Sequence, residues 1–80
     1  MPVIFRHKGI RIFFYSNEGT PREPMHVHAQ HGESLAKIWM RPEGAVTENY
    51  GFSSTEMKDL VRVLQENATL IERTWDEYFG

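Results

Sequence analysis

Eighty residues without a cysteine point to one domain, near the lower limit for a self-sufficient core, and exclude a disulfide framework or a cysteine-based metal cage. Nine Lys and Arg against eleven Asp and Glu leave a net charge of −2, which argues against duplex DNA binding driven by bulk charge. No apolar run approaches the ~20 residues of a membrane span, and Met1-Pro2-Val3-Ile4-Phe5-Arg6 lacks the basic start and apolar stretch of a secretion signal, so a cytoplasmic protein is expected.

The expected fold class is α+β: a small antiparallel sheet of two hairpins, with four to five strands in residues 1–50, packed against one long C-terminal helix over about 54–79. Val3 to Tyr15 reads as the first hairpin. Lys8-Gly9 supplies its turn, setting His7 against Ile10, Arg6 against Arg11, Phe5 against Ile12 and Val3 against Phe14. Strand alternation then sends Val3, Phe5, Ile10, Ile12 and Phe14 to the core and Ile4, Arg6, Arg11, Phe13 and Tyr15 to the other face. Ser16 to Pro24 is rich in turn residues and reads as a loop.

Met25 to Met40 reads as a second hairpin around His31-Gly32, with Ala29 facing Ser34, His28 facing Leu35, Val27 facing Ala36 and His26 facing Lys37. Met25, Val27, Ala29, Ala36, Ile38 and Met40 take the core face. His26, His28, Leu35, Lys37 and Trp39 share the outer one. Pro42-Glu43-Gly44 breaks the chain, and Ala45 to Tyr50 is a candidate fifth strand. Ser53 and Glu56 match a capping box, with Phe52 placed as its hydrophobic staple. From Ser54 to Phe79 there is no Gly or Pro, and Met57, Leu60, Val61, Leu64, Ala68, Ile71 and Trp75 recur at helical steps. The stripe keeps phase across the weak helix formers Asn67 and Thr69, so one unbroken helix is expected.

Taken together, Pro24-Met25-His26-Val27-His28, Ala36-Lys37-Ile38-Trp39, Gly51-Phe52-Ser53 and the Trp75…Tyr78-Phe79 ending resemble the prokaryotic domain-of-unknown-function family 4160 over essentially the whole chain. The resemblance implies a His-x-His strand followed by a long helix. It also implies membership of two-gene, toxin–antitoxin-like modules, and hence a small partner protein encoded by a neighbouring gene.

Three chemistries fit the outer face. His26 and His28, two apart on a strand, make a two-ligand arrangement for zinc or another divalent transition metal, with His31 and Glu23 as candidate completing ligands and Lys37 opposite His26 as counter-evidence. The same histidines with Arg11 could serve general acid–base chemistry in a ribonuclease-like enzyme. A face carrying Arg6, Arg11, Tyr15, His26, His28, Lys37 and Trp39 also suits single-stranded nucleic acid or, more commonly, another protein. The facing pair Arg6 and Arg11 repels unless an anion or acidic partner lies nearby. So short a chain also makes a homo-oligomer a candidate state. The reading favoured by these residues is a protein–protein interaction module rather than an enzyme. In the alternatives that involve histidine, the His-x-His pair carries the chemistry.

Overall fold

The computed structural model describes residues 3–14, 25–40 and 45–79, with the backbone alone for residues 45–47. Strands β1 (Val3–His7), β2 (Ile10–Phe13), β3 (His26–His31), β4 (Ser34–Trp39) and β5 (Ala45–Tyr50) form one antiparallel sheet in chain order. Helices α1 (Ser54–Glu66) and α2 (Ala68–Phe79) follow. The class is α+β, with the helical part C-terminal to the sheet.

The first hairpin turns through Lys8 (φ 50°) and Gly9 (φ 80°), the two positive φ angles that match the right-handed twist of the flanking strands. His7 pairs with Ile10, Arg6 with Arg11 and Phe5 with Ile12, as the turn dictates. Beyond Phe5 the expectation fails. Val3 pairs with Phe13 rather than Phe14, because an irregularity between Val3 and Phe5 takes up one residue. Val3 is consequently 41% exposed and not in the core.

The turn of the second hairpin lies one residue later than its sequence suggested. His31 pairs with Ser34, leaving Gly32 (φ 60°) and Glu33 as a two-residue turn. Every expected pair shifts by two: Gln30 faces Leu35, Ala29 faces Ala36, His28 faces Lys37 and His26 faces Trp39. A glycine that accepts positive φ at the first turn position fixes the two-residue turn at Gly32-Glu33. Because the shift is even, no side chain changes face. Lys37 therefore lies opposite His28, not His26.

Strand β5 forms as the fifth strand, with Leu35 facing Tyr50, Lys37 facing Glu48 and Ile38 facing Val46, so that Thr47 is the extra residue of a bulge. A bulge on an outermost strand blunts it against further strand addition. Gly51 (φ 96°) then crosses β4 so closely that a Cβ there would lie 2.6 Å from Ser34 Oγ and 3.2 Å from Ser34 Cα. Only glycine turns the chain out of β5 at this spot.

The capping box is present: Ser53 Oγ accepts from the Glu56 amide, and the Ser53 amide donates to the Glu56 carboxylate. Phe52 and Met57, the N′ and N4 positions of α1, both join the core, as a hydrophobic staple requires. The single helix of the sequence reading is two. Asn67 leaves helical geometry (φ −109°, ψ 19°), and its side-chain amide donates to the Val63 carbonyl at 2.9 Å. An Asn side chain that reaches back to the i−4 carbonyl competes with the backbone ladder. The Ile71 amide still bonds the Asn67 carbonyl at 3.0 Å, so the apolar stripe runs on through the break.

That stripe meets the sheet. Ile10, Ile12, Val27, Ala29, Ala36 and Ile38 from the strands form one cluster with Phe52, Met57, Leu60, Leu64 and Ile71. Full burial of Leu60 and Leu64 contributes about 1.5–3 kcal/mol each. Val61 and Ala68 lie at the margin, while Val63 is buried outside the predicted stripe. Phe14 is fully buried in a second, aromatic cluster with Trp75, Tyr78 and Phe79 of α2.

Candidate functional site: the outer sheet face

The two strand registers lay the outer face out as rows. Arg6, Arg11, Gln30, Leu35 and Tyr50 are successive cross-strand partners from β1 to β5. Phe13, His28, Lys37 and Glu48 form the next row, and His26 with Trp39 begins the third. Arg6, Arg11, His26, His28, Lys37 and Trp39 thus share the face expected for them. Tyr15 and Glu23 lie outside the described residues.

Burial divides these residues sharply. His26 is 0% exposed, despite its place on the outer face. It packs against Trp39 (ring centroids 5.0 Å), His28 (5.3 Å) and Trp75 of α2 (5.5 Å). Trp75 closes over this end of the sheet, which strand periodicity could not foresee. His28 stacks on Phe13 at 5.5 Å and is also buried. Among the described residues, no buried side-chain nitrogen or oxygen lacks a hydrogen-bond partner. An imidazole so enclosed orients its neighbours and fills space; it offers an external substrate little access.

Toward the hairpin-turn end the face opens. Arg11 donates to Gln30 Oε1 and lies 5.1 Å over the Phe13 ring, while Lys37 lies 4.7 Å over the Trp39 ring. Both cations are therefore held in place by aromatic faces. Arg6 is exposed, directly opposite Arg11, and neither guanidinium meets a carboxylate among the described residues. Tyr50 ends the row at 64% exposure.

Of the other metal candidates, His31 stands apart from the His26–His28 pair, and Glu23 lies outside the described residues. His31 sits at the far end of β3, about 16 Å along the strand from His26. Among the described residues, no three His, Cys, Asp or Glu are placed to hold one ion. The histidine pair thus gains no third ligand there.

A cluster missed by sequence reasoning lies under the first turn. His7 Nε2 meets Asp59 Oδ2 at 2.9 Å, Lys8 Nζ approaches the same oxygen at 3.4 Å, and Arg62 holds Oδ1. The hydrogen bond from His7, then that from Arg62, hold the Asp59 carboxyl well below the usual carboxylate range. Glu56 is lowered too, by the backbone and side-chain bonds of Ser53. A cleft of about 340 Å³ beside this cluster is lined by Lys8, Ile10, His31, Thr55, Glu56 and Asp59. Both Asp59 oxygens are engaged, so the cluster reads as a clasp between hairpin and helix. No sequence signal links His7 to a residue fifty-two positions away.

These features define a class: a five-stranded α+β domain with one sheet face under helices and the other graded from buried histidines to open arginines. Residues 9–76 match the family described as domain of unknown function (DUF4160), and the chain belongs to that family. No curated protein and no solved structure matches it. Among the described residues, no helix is long and apolar enough to cross a membrane.

Proposed function

We propose that this protein is a protein–protein interaction module whose outer sheet face receives a partner chain, as one member of a two-gene, toxin–antitoxin-like pair. The observation that carries this reading is the facing pair Arg6 and Arg11, two cations on neighbouring strands with no carboxylate beside them among the described residues. Like charges directly opposite each other destabilise a sheet, and an acidic partner reverses that cost. The family resemblance implies the product of a neighbouring gene as the partner. Co-expression and co-purification of the two gene products test this directly. A stable complex is expected, and two products that migrate independently at micromolar concentration would refute it.

Single-stranded nucleic acid is the second reading, because Arg11 over Phe13 and Lys37 over Trp39 resemble the cation–aromatic platforms on which bases stack. A strongly salt-dependent affinity for single-stranded RNA, without turnover, would favour it. The ribonuclease-like alternative draws less support from the geometry, since His26 has no exposed surface.

A further inference from the structure

Resting on that docking reading, we infer that the outer face fits an amphipathic segment of the partner lying across the strands, its acidic end over Arg6 and Arg11 and its apolar end over Leu35 and Tyr50. The register carries the argument. One row of cross-strand partners runs Arg6, Arg11, Gln30, Leu35, Tyr50, so within it the cations lie at the β1–β2 end and the apolar side chains at the β4–β5 end.

A partner can reach every position of this row. Arg6 and Tyr50 are exposed, and Arg11, Gln30 and Leu35 are half-buried, whereas Phe13, His28 and His26 behind them are buried. Arg11 is pre-oriented by Gln30 and Phe13, so little side-chain freedom is lost when a carboxylate binds it. A planar guanidinium in a fixed position favours a carboxylate fork over a diffuse anion. At the other end, Tyr50 offers a large exposed aromatic of the type that anchors interfaces.

The spacing sets the partner's shape. From midway between β1 and β2 to midway between β4 and β5 is three strand intervals, ~14 Å. A helix spans that distance in about nine or ten residues. The fitting segment therefore carries an acidic residue and, two to three helical turns away on the same face, an apolar one. Both outermost strands carry an irregularity, β1 between Val3 and Phe5 and β5 at Thr47, which disfavours strand addition at either edge and favours docking on the face.

The test is calorimetric titration of the intact protein with the product of the adjacent gene, comparing wild type with Arg6→Glu, Arg11→Glu and Tyr50→Ala. Circular dichroism of each variant checks that the fold persists. Each of the three is expected to weaken binding about tenfold or more, and the loss at the arginines is expected to shrink as salt rises. Loss at the arginines alone, or at Tyr50 alone, would overturn the two-ended segment. Undiminished binding by all three variants would overturn this surface while sparing the interaction-module reading. Wild type that fails to bind the adjacent product, or that binds single-stranded RNA instead, would overturn both.

Discussion

The sheet face under α1 and the face turned away from it come from the same five strands, yet their side chains are committed to very different degrees. Under α1, Ile12, Val27, Ala29 and Ile38 are each 0% exposed and belong to one apolar cluster. On the outer face, burial falls from His26 on β3, also at 0%, to Tyr50 at 64%, two strands away on β5. The first face is uniform because strand alternation and the helical stripe both demand it. The second is uneven because its enclosed end depends on a distant residue, Trp75. Periodicity reports which face a residue takes; it does not report what arrives to cover that face.

The largest break in this comparison is expected from Leu64→Asp. A carboxylate between helix and sheet has no partner, and the cost of more than ~4 kcal/mol approaches the whole stability of so small a domain. Loss of the cooperative thermal transition is the expected outcome, and a near-native melting temperature would show that Leu64 is not core.

A moderate effect is expected at the enclosed end of the outer face. His26→Ala removes a fully buried ring packed on two tryptophans, which costs about 2–4 kcal/mol. His31→Ala, at the exposed end of β3, should stay within about 0.5 kcal/mol. Chemical denaturation of the two variants sharpens the contrast. Equal stability would mean that His26 packs no more tightly than His31.

The smallest effect depends on pH. Asp59 is held below its ordinary value, so its contribution is fully present above the unfolded carboxyl value near ~4 and fades as pH falls below it. The melting temperatures of wild type and Asp59→Asn should therefore differ at neutral pH and converge in acid. A constant gap from pH 7 down to pH 2 would show that the clasp with His7 and Arg62 does not act through charge.

Much of this architecture was legible in the residues. Lys8-Gly9 set the first register through Phe5, the parity of the second hairpin was right, and Ser53 with Glu56 marked the start of α1. The two-residue slip of the second hairpin followed from treating His31 as a turn residue, when Gly32 alone supplied the positive φ a tight loop needs. The break at Asn67 arose from a side-chain bond to Val63 that hydrophobic phase cannot register. For the candidate site, the strands gave the membership of the face, while the enclosure of His26 and the His7–Asp59 clasp required the third dimension.

The central claim is that the open row of the outer face, rather than the helices, receives the partner. Amide chemical-shift mapping of the labelled protein, titrated with the product of the adjacent gene, tests it most directly. The account predicts that the largest shifts fall on Arg6, Arg11, Gln30, Leu35 and Tyr50, with Lys58, Val61 and Arg62 on α1 unmoved. Shifts concentrated on those α1 residues, with the sheet row silent, would contradict it.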